Sequence, residues 1–409
     1  MTCKIILLRV IGCVVILLIM VGCGTSTPSP SIPQRPQPQN KQPVGPPPQT
    51  QEIHPQPVSP QPPSQVAGGQ SLLKFIKTIS VTPDKNYPGA VLGFCRINYV
   101  PSTDRFVVTF EARLAQSSGG CNECGYAYKE YTLDLQETGK TDVFSCKCED
   151  SGSVMVDNTY YFVVADMSNY GWQVLKLDAT NFNKVAETSI SLDPKEKYTN
   201  NDPVVAFVNG QLDISSQYNQ SGTWPEFNSG ADSHHHYLTI DLNPLGEKIL
   251  SDSPHVHGGS LIYVDGIYYF VAANSFLGDL VLMRYDTNWN YIDTKTLISK
   301  AHFSTGLVFD GQFFYLAYLD TSQRLVPDSL PVFLNVHLAI FDRDWNPVED
   351  VAVTNYVISD NRQPGRPWVI LHDNHLYVSY DEDTINPETH EEEKKSQAYI
   401  SVYELINIP

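Results

Sequence analysis

One repeating unit constrains this chain more than any other feature of its sequence. Five segments have the same form, a short alternating strand that ends in a polar turn: YTLDLQETGK (131–140), LKLDATNFNK (175–184), LTIDLNPLGE (238–247), MRYDTNWNYI (283–292) and AIFDRDWNPV (339–348). In these, Asp134, Asp178, Asp241, Asp286 and Asp342 are expected to open Asx-stabilised hairpin turns, because each follows a period-two strand and precedes Asn, Pro or Gly. Upstream of each turn lies an aromatic-rich hairpin. Its turn pairs are Asp157-Asn158, Asn209-Gly210, Asp265-Gly266, Asp310-Gly311 and Asp373-Asn374, dipeptides whose tolerance of positive φ favours tight β-turns. Six such units of four short strands, spaced roughly 45–60 residues apart, predict the blades of a β-propeller. No stretch carries a helical period, so the chain reads as all-β.

The last unit ends at AYISVYELINIP (398–409) with no residues left for a fourth strand. An isolated strand, LLKFIKTISVT (72–82), stands before the first unit. Pairing the two would leave no open ring edge, so the expectation is a six-bladed propeller closed by its N-terminal strand. Five or seven blades is the alternative.

The N-terminal part has a different character. Residues 10–22 are an apolar run of thirteen behind Lys4 and Arg9, which is signal-peptide length and short of the ~20 residues a spanning helix needs. Met20-Val21-Gly22-Cys23 resembles the bacterial lipobox, which implies lipidation of Cys23. An ordinary signal peptide or an uncleaved anchor is the alternative. From Gly24 to Gln65 fourteen prolines leave too little apolar surface to form a core, and a tract of that length in polyproline II reaches on the order of 130 Å. The expected domains are therefore a lipoprotein signal peptide (1–22), a lipidated Cys23 with a disordered Pro-rich linker (23–67) and the propeller (68–409). The expected location is the cell envelope, with the protein lipid-anchored to a membrane and facing outside the cytoplasm.

The net charge is −18, and residues 68–409 alone hold 23 basic against 44 acidic residues. Such a surface repels phosphate backbones, so nucleic acid is excluded as a partner. A glycan or a cell-envelope protein is expected instead. Cys95, Cys121, Cys124, Cys146 and Cys148 cluster in or just after the first unit. In an exported protein this favours two disulfides with one thiol spare, although a CxxC plus CxC set also suits Zn²⁺ or redox work. His255 and His257, at i and i+2, would point the same way on an extended segment. With Asp202, His302 and one of His234 to His236 they suggest a divalent-metal site at the channel mouth.

Asn201-Asp202-Pro203 through Asn209-Gly210 is similar to a segment of the five-bladed glycoside hydrolases that include arabinanases and xylosidases, and His257-Gly258-Gly259 through Tyr269 resembles the next blade of that family. The resemblance implies glycan chemistry at Asp202. His257 stands where that family has a catalytic Glu, and its mechanism needs two carboxyl groups. Trp224 and Trp368 are candidate sugar-stacking residues, with Trp172, Tyr170 and Tyr218 on the same rim. No assembled nucleophile, acid pair or phosphate loop is visible, so no catalytic residue is assigned. Expected ligand contacts are Asp202, His255, His257, His302, Trp224 and Trp368. The leading reading is a non-catalytic propeller that binds a glycan or a protein; the alternatives are a glycan-active hydrolase and a self-assembling envelope component.

Overall fold

The computed structural model describes residues 71–81, 92–113, 124–145, 148–166, 171–191, 203–218, 232–250, 259–274, 278–321, 334–357, 360–385 and 392–406. They form six four-stranded antiparallel sheets. The first strand, β1 (Leu73–Val81), belongs to the last sheet. Blade one holds β2 (Leu92–Val100), β3 (Arg105–Arg113), β4 (Cys124–Tyr131) and β5 (Glu137–Ser145). Blade two holds β6 (Cys148–Val156), β7 (Thr159–Asp166), β8 (Gly171–Asp178) and β9 (Lys184–Ser191). Blade three follows with β10 (Val204–Val208), β11 (Gln211–Tyr218), β12 (Asp232–Thr239) and β13 (Pro244–Leu250). Blade four contains β14 (Ser260–Val264), β15 (Ile267–Ala273), β16 (Leu280–Asp286) and β17 (Tyr291–Ile298), and blade five β18 (Ala301–Phe309), β19 (Phe314–Asp320), β20 (Asn335–Phe341) and β21 (Pro347–Ala352). Blade six takes β22 (Arg362–His372), β23 (His375–Ile385) and β24 (Glu392–Leu405) from the end of the chain and β1 from its beginning.

The expected closure is present. β1 pairs antiparallel with β24 from Leu73↔Leu405 to Val81↔Ala398, slipping once between Phe75 and Lys77. The innermost strands neighbour one another around a full circle: β2 against β6, β6 against β10, β10 against β14, β14 against β18, β18 against β22, and β22 against β2. Their approach is close enough to dictate sequence. A Cβ on Gly152 would lie 2.3 Å from the Pro203 carbonyl oxygen, and one on Gly306 2.7 Å from the Val369 nitrogen. Between blades six and one the Ser379 hydroxyl donates to the Cys95 carbonyl (2.9 Å) and accepts from the Ile97 N–H (3.2 Å). This bonds one inner region to the next without a ladder.

The period-two pattern sends alternate side chains to opposite faces of each sheet, and both faces are covered. The core consequently divides into six apolar clusters, one at each seam between blades. The seam of blades four and five holds Tyr269, Leu282, Phe314, Leu316, Phe341 and Trp345. Each large side chain buried there contributes about 1.5–3 kcal/mol.

Four of the first-to-second-strand hairpins have the expected two-residue turns, with Val156 paired to Thr159, Val208 to Gln211, Val264 to Ile267 and His372 to His375. Asp310-Gly311 departs from this. Phe309 pairs with Phe314, giving a four-residue loop in which Asp310 Oδ1 accepts from the N–H groups of Gln312 (2.6 Å) and Phe313 (2.7 Å).

The turns between third and fourth strands need a second correction. Asp178, Asp286 and Asp342 open theirs as expected; Asp342 Oδ1 accepts from the N–H groups of Asp344 (2.9 Å) and Asn346 (2.8 Å). Asp134 and Asp241 do not, and both are exposed. Thr132 and Thr239, two residues earlier, hold the position instead and accept from Gln136 and Asn243 N–H at 3.1 Å each. A threonine hydroxyl supplies the same acceptor, and the strand ends where that bond forms.

The fourth or fifth residue of every such turn is bulky and left-handed: Leu135 (φ 60°), Phe182 (59°), Leu242 (64°), Trp289 (60°) and Trp345 (60°). All five are buried, each in the seam with the preceding blade. That backbone costs an L-residue about 1–2 kcal/mol, which is less than the burial of such a side chain returns. The turns therefore act as hooks that clasp one blade to the next.

Candidate functional site

In this topology each innermost strand starts, and each second strand ends, on one face of the ring; the tight hairpin turns lie on the other. The start of β22 and the end of β23 bring together several charged side chains toward that first face. β22 bulges between Gly365 and Trp368, and Arg366 sits in the bulge at φ 43°. A bulge re-aims the side chain it carries. Here Arg366 donates to Asp381 Oδ2 across the strand pair at 3.0 Å, while 36% of its side chain remains exposed. Asp381 itself is fully buried, and its Oδ1 has no hydrogen-bond partner. Burial pushes its carboxyl up to about 6 against the opposing pull of Arg366, with Asp383 adding to the rise. A buried carboxyl on a shared face with a cation and perturbed in this way is a functional-site signature.

Around this pair stand Arg96 from β2, whose guanidinium lies 4.6 Å from the Trp368 ring centroid, and Glu382 on the opposite face of β23. Glu382 accepts a hydrogen bond from the Tyr356 hydroxyl and lies 3.6 Å from Arg362. Burial, with Glu382 second, pushes the Tyr356 phenol up. The seam of blades six and one thus holds Arg366, Arg96, the Trp368 ring and Asp381, while Arg362 and Glu382 pair on the other face of β23.

Of the residues expected from sequence to bind, Trp368 falls in this cluster. His302 is the second residue of β18, half-buried at the corresponding end of the neighbouring inner strand. Asp202, Trp224, His255 and His257 lie outside the described residues, as do Cys23, Cys121 and Cys146. Cys124 and Cys148 begin β4 and β6, which places both backbones on the same face.

Among the disulfide candidates, Cys95 is a free, buried thiol. β2 carries it into the seam of blades six and one, where burial first and Asp381 second push the thiol up. A thiol so disfavoured as thiolate is unreactive. Trp172 fills the seam of blades two and three rather than the rim.

His234 to His236, one of which the sequence offers to a metal site at the channel mouth, lie inside β12. Strand alternation splits them: His235 turns into the seam of blades three and four, while His234 and His236 face the other way. His235 Nδ1 lies 3.1 Å from Asp213 Oδ1, and its Nε2 lies 3.1 Å from Ser233 Oγ. The order is that of nucleophile, base and orienting acid. All three are fully buried, with the Trp289 ring tilted against the imidazole at 4.0 Å between centroids, so this chain of bonds locks a seam and presents no nucleophile. The sequence signal was the alternation in SHHHYLT, in which Leu238 shares a face with His234 and His236.

No family model and no curated protein matches this sequence. Among solved structures, it resembles Trypanosoma rangeli sialidase in complex with sialic acid, with a TM-score of 0.50 at 13% identity over 81% of this chain. The chain spans 59% of that sialidase. The same enzyme in complex with 2,3-difluoro-KDN gives 0.49 at 13% identity, over 80% of this chain and 58% of that one. A subtype N10 neuraminidase-like protein of A/little yellow-shouldered bat/Guatemala gives 0.46 at 10%, over 82% and 100%. The class is therefore a six-bladed β-propeller of sialidase-like fold. At these identities the likeness is one of fold.

Proposed function

We propose that this propeller acts on a glycan at the seam of blades six and one, and that glycoside hydrolysis is the reading favoured over passive retention. The observation that carries it is Asp381. Its carboxyl, held up to about 6 and reached from the surface only through the part-exposed Arg366, keeps part of its proton near neutral pH, as a general acid must, and a sugar that draws Arg366 away would uncover it. Asp383, two residues on along the same face of β23 and close enough to raise the Asp381 carboxyl, is the candidate for the second carboxyl that glycoside cleavage requires. Arg366 suits a carboxylated sugar, because guanidinium pairs with carboxylate in a fixed fork, and Trp368 offers a face for a pyranose ring. The Trypanosoma rangeli sialidase of similar fold is described with sialic acid; an acidic sugar fits the arginines here. This differs from the site placed by sequence around Asp202 and His257. Lipidation at Cys23 with envelope display is part of the same proposal, supported by the apolar run and the Met20-Val21-Gly22-Cys23 segment.

The test is a panel of neutral and sialylated oligosaccharides, scored for retention and for released sugar. A hydrolase loses turnover but keeps retention in Asp381→Asn, and loses both in Arg366→Met. Retention without turnover in the native protein, abolished by Arg366→Met, establishes the binding reading. Neither activity on any member of the panel overturns both.

A further inference from the structure

The two histidines of β12 that turn away from the buried seam face a carboxylate on the outermost strand of their blade. His236 is the cross-strand partner of Glu247, and His234 lies one step along the same face. Glu247 Oε1 is shared between them, 2.6 Å from His234 Nδ1 and 3.8 Å from His236 Nε2. The second distance exceeds a hydrogen bond, and His236 Nε2 is shielded from solvent with no hydrogen-bond partner. The rings lie 6.4 Å apart at 31°, and one ligand atom from each of the three residues falls within 4.8 Å of the others. Glu247 is 42% exposed while the imidazoles are largely covered, so an ion could enter from the carboxylate side.

We propose that His234, His236 and Glu247 form a binding site for a divalent transition-metal ion, best suited to Zn²⁺, with solvent completing the coordination. Two imidazole nitrogens and one carboxylate oxygen are borderline ligands of the type Zn²⁺ takes, at about 2.0–2.2 Å each. An ion at those distances spaces its ligand atoms about 3.3 Å apart in tetrahedral geometry. The short His234–Glu247 separation then opens and the long His236–Glu247 separation closes, both by less than an ångström. Rigid placement favours the site, because two of the three side chains stand on one strand and the third on its hydrogen-bonded neighbour. Bound there, the ion ties the outermost strand β13 to β12. The site stands apart from the seam of blades six and one and does not depend on the glycan reading.

The experiment titrates the full-length chain with Zn²⁺ alone by calorimetry, alongside His236→Ala, His234→Ala and Glu247→Gln, each checked for native β circular dichroism. Glu247→Gln, at an exposed position, keeps the fold testable if a histidine variant does not. One equivalent of Zn²⁺ is expected to disappear or to bind at least tenfold more weakly in every folded variant, whatever other metal the chain takes up. Equal stoichiometry and affinity in the native chain and Glu247→Gln overturn the site. So does a loss confined to one histidine variant.

Discussion

Trp345 offers a test of the hook mechanism in which the sign of the effect matters as much as its size. The residue is 1% exposed, stacks on Phe314 at 4.1 Å between centroids, and holds φ at 60°. Trp345→Ala removes the packing and leaves the backbone strain in place. The expected loss is about 4 kcal/mol, within the range for large-to-small aromatic truncation. Trp345→Gly removes the same packing but also relieves roughly 1–2 kcal/mol of left-handed strain, against an unfavourable backbone entropy of about 0.5–1 kcal/mol. Glycine is therefore expected to be the more stable of the two by about 0.5–1 kcal/mol. At Leu316, equally buried in the same seam and absent from the left-handed set, the order reverses: Gly falls below Ala by about 0.5–1 kcal/mol. The two pairs thus differ by roughly 1–2 kcal/mol. For the roughly 255 described residues at about 2.1 cal/mol/K each, 4 kcal/mol corresponds to a Tm fall of about 7 °C. Urea unfolding followed by tryptophan fluorescence and by circular dichroism, with coincident transitions, gives the free energies. Trp345→Gly at or below Trp345→Ala would refute the claim that burial is holding a strained turn.

Two further outcomes follow from the closure and from the buried acid. Deleting residues 71–81 strips β24 of its partner and uncovers an unpaired edge, so the truncated protein is expected to lose cooperative melting or to aggregate; unchanged melting would mean the ring does not need its clasp. Asp381 titrates higher in the folded protein, at about 6, than its ordinary 3.8. The folded state therefore binds more protons between those values, and stability falls as pH rises through roughly 4 to 6, on the order of 3 kcal/mol in total. Asp381→Asn should flatten that slope in urea midpoints taken from pH 4 to 7, and parallel profiles for variant and native protein would contradict it.

Much of the architecture is legible in the sequence because each blade repeats local rules. Alternation fixes strands, Asn209-Gly210 and Asp265-Gly266 mark two-residue hairpins, and the unpaired run at 72–82 announces the closure that β1 makes with β24. Where two residues satisfy one geometric need, local reading fails: Thr132 and Thr239 open turns that Asp134 and Asp241 were expected to open. The site was less legible. Arg366 reaches Asp381 because a bulge shifts the register between Gly365 and Trp368; Pro364-Gly365-Arg366-Pro367 marks a break in the strand but does not say which residue it turns toward Asp381. The pairing of Glu247 with two of three consecutive histidines likewise needs the register of β12 on β13. Histidines adjacent in sequence look like one cluster, and only the strand divides them between two faces.

The position of β1 also fixes a direction. Leu73 starts opposite Leu405, whose carbonyl oxygen accepts from the Asn374 side chain at 2.6 Å, so the strand sets out from the side of the hairpin turns. Arg366 and Asp381 lie toward the opposite side. The first strand therefore enters the last blade from the side opposite the one toward which the arginine-bearing seam lies.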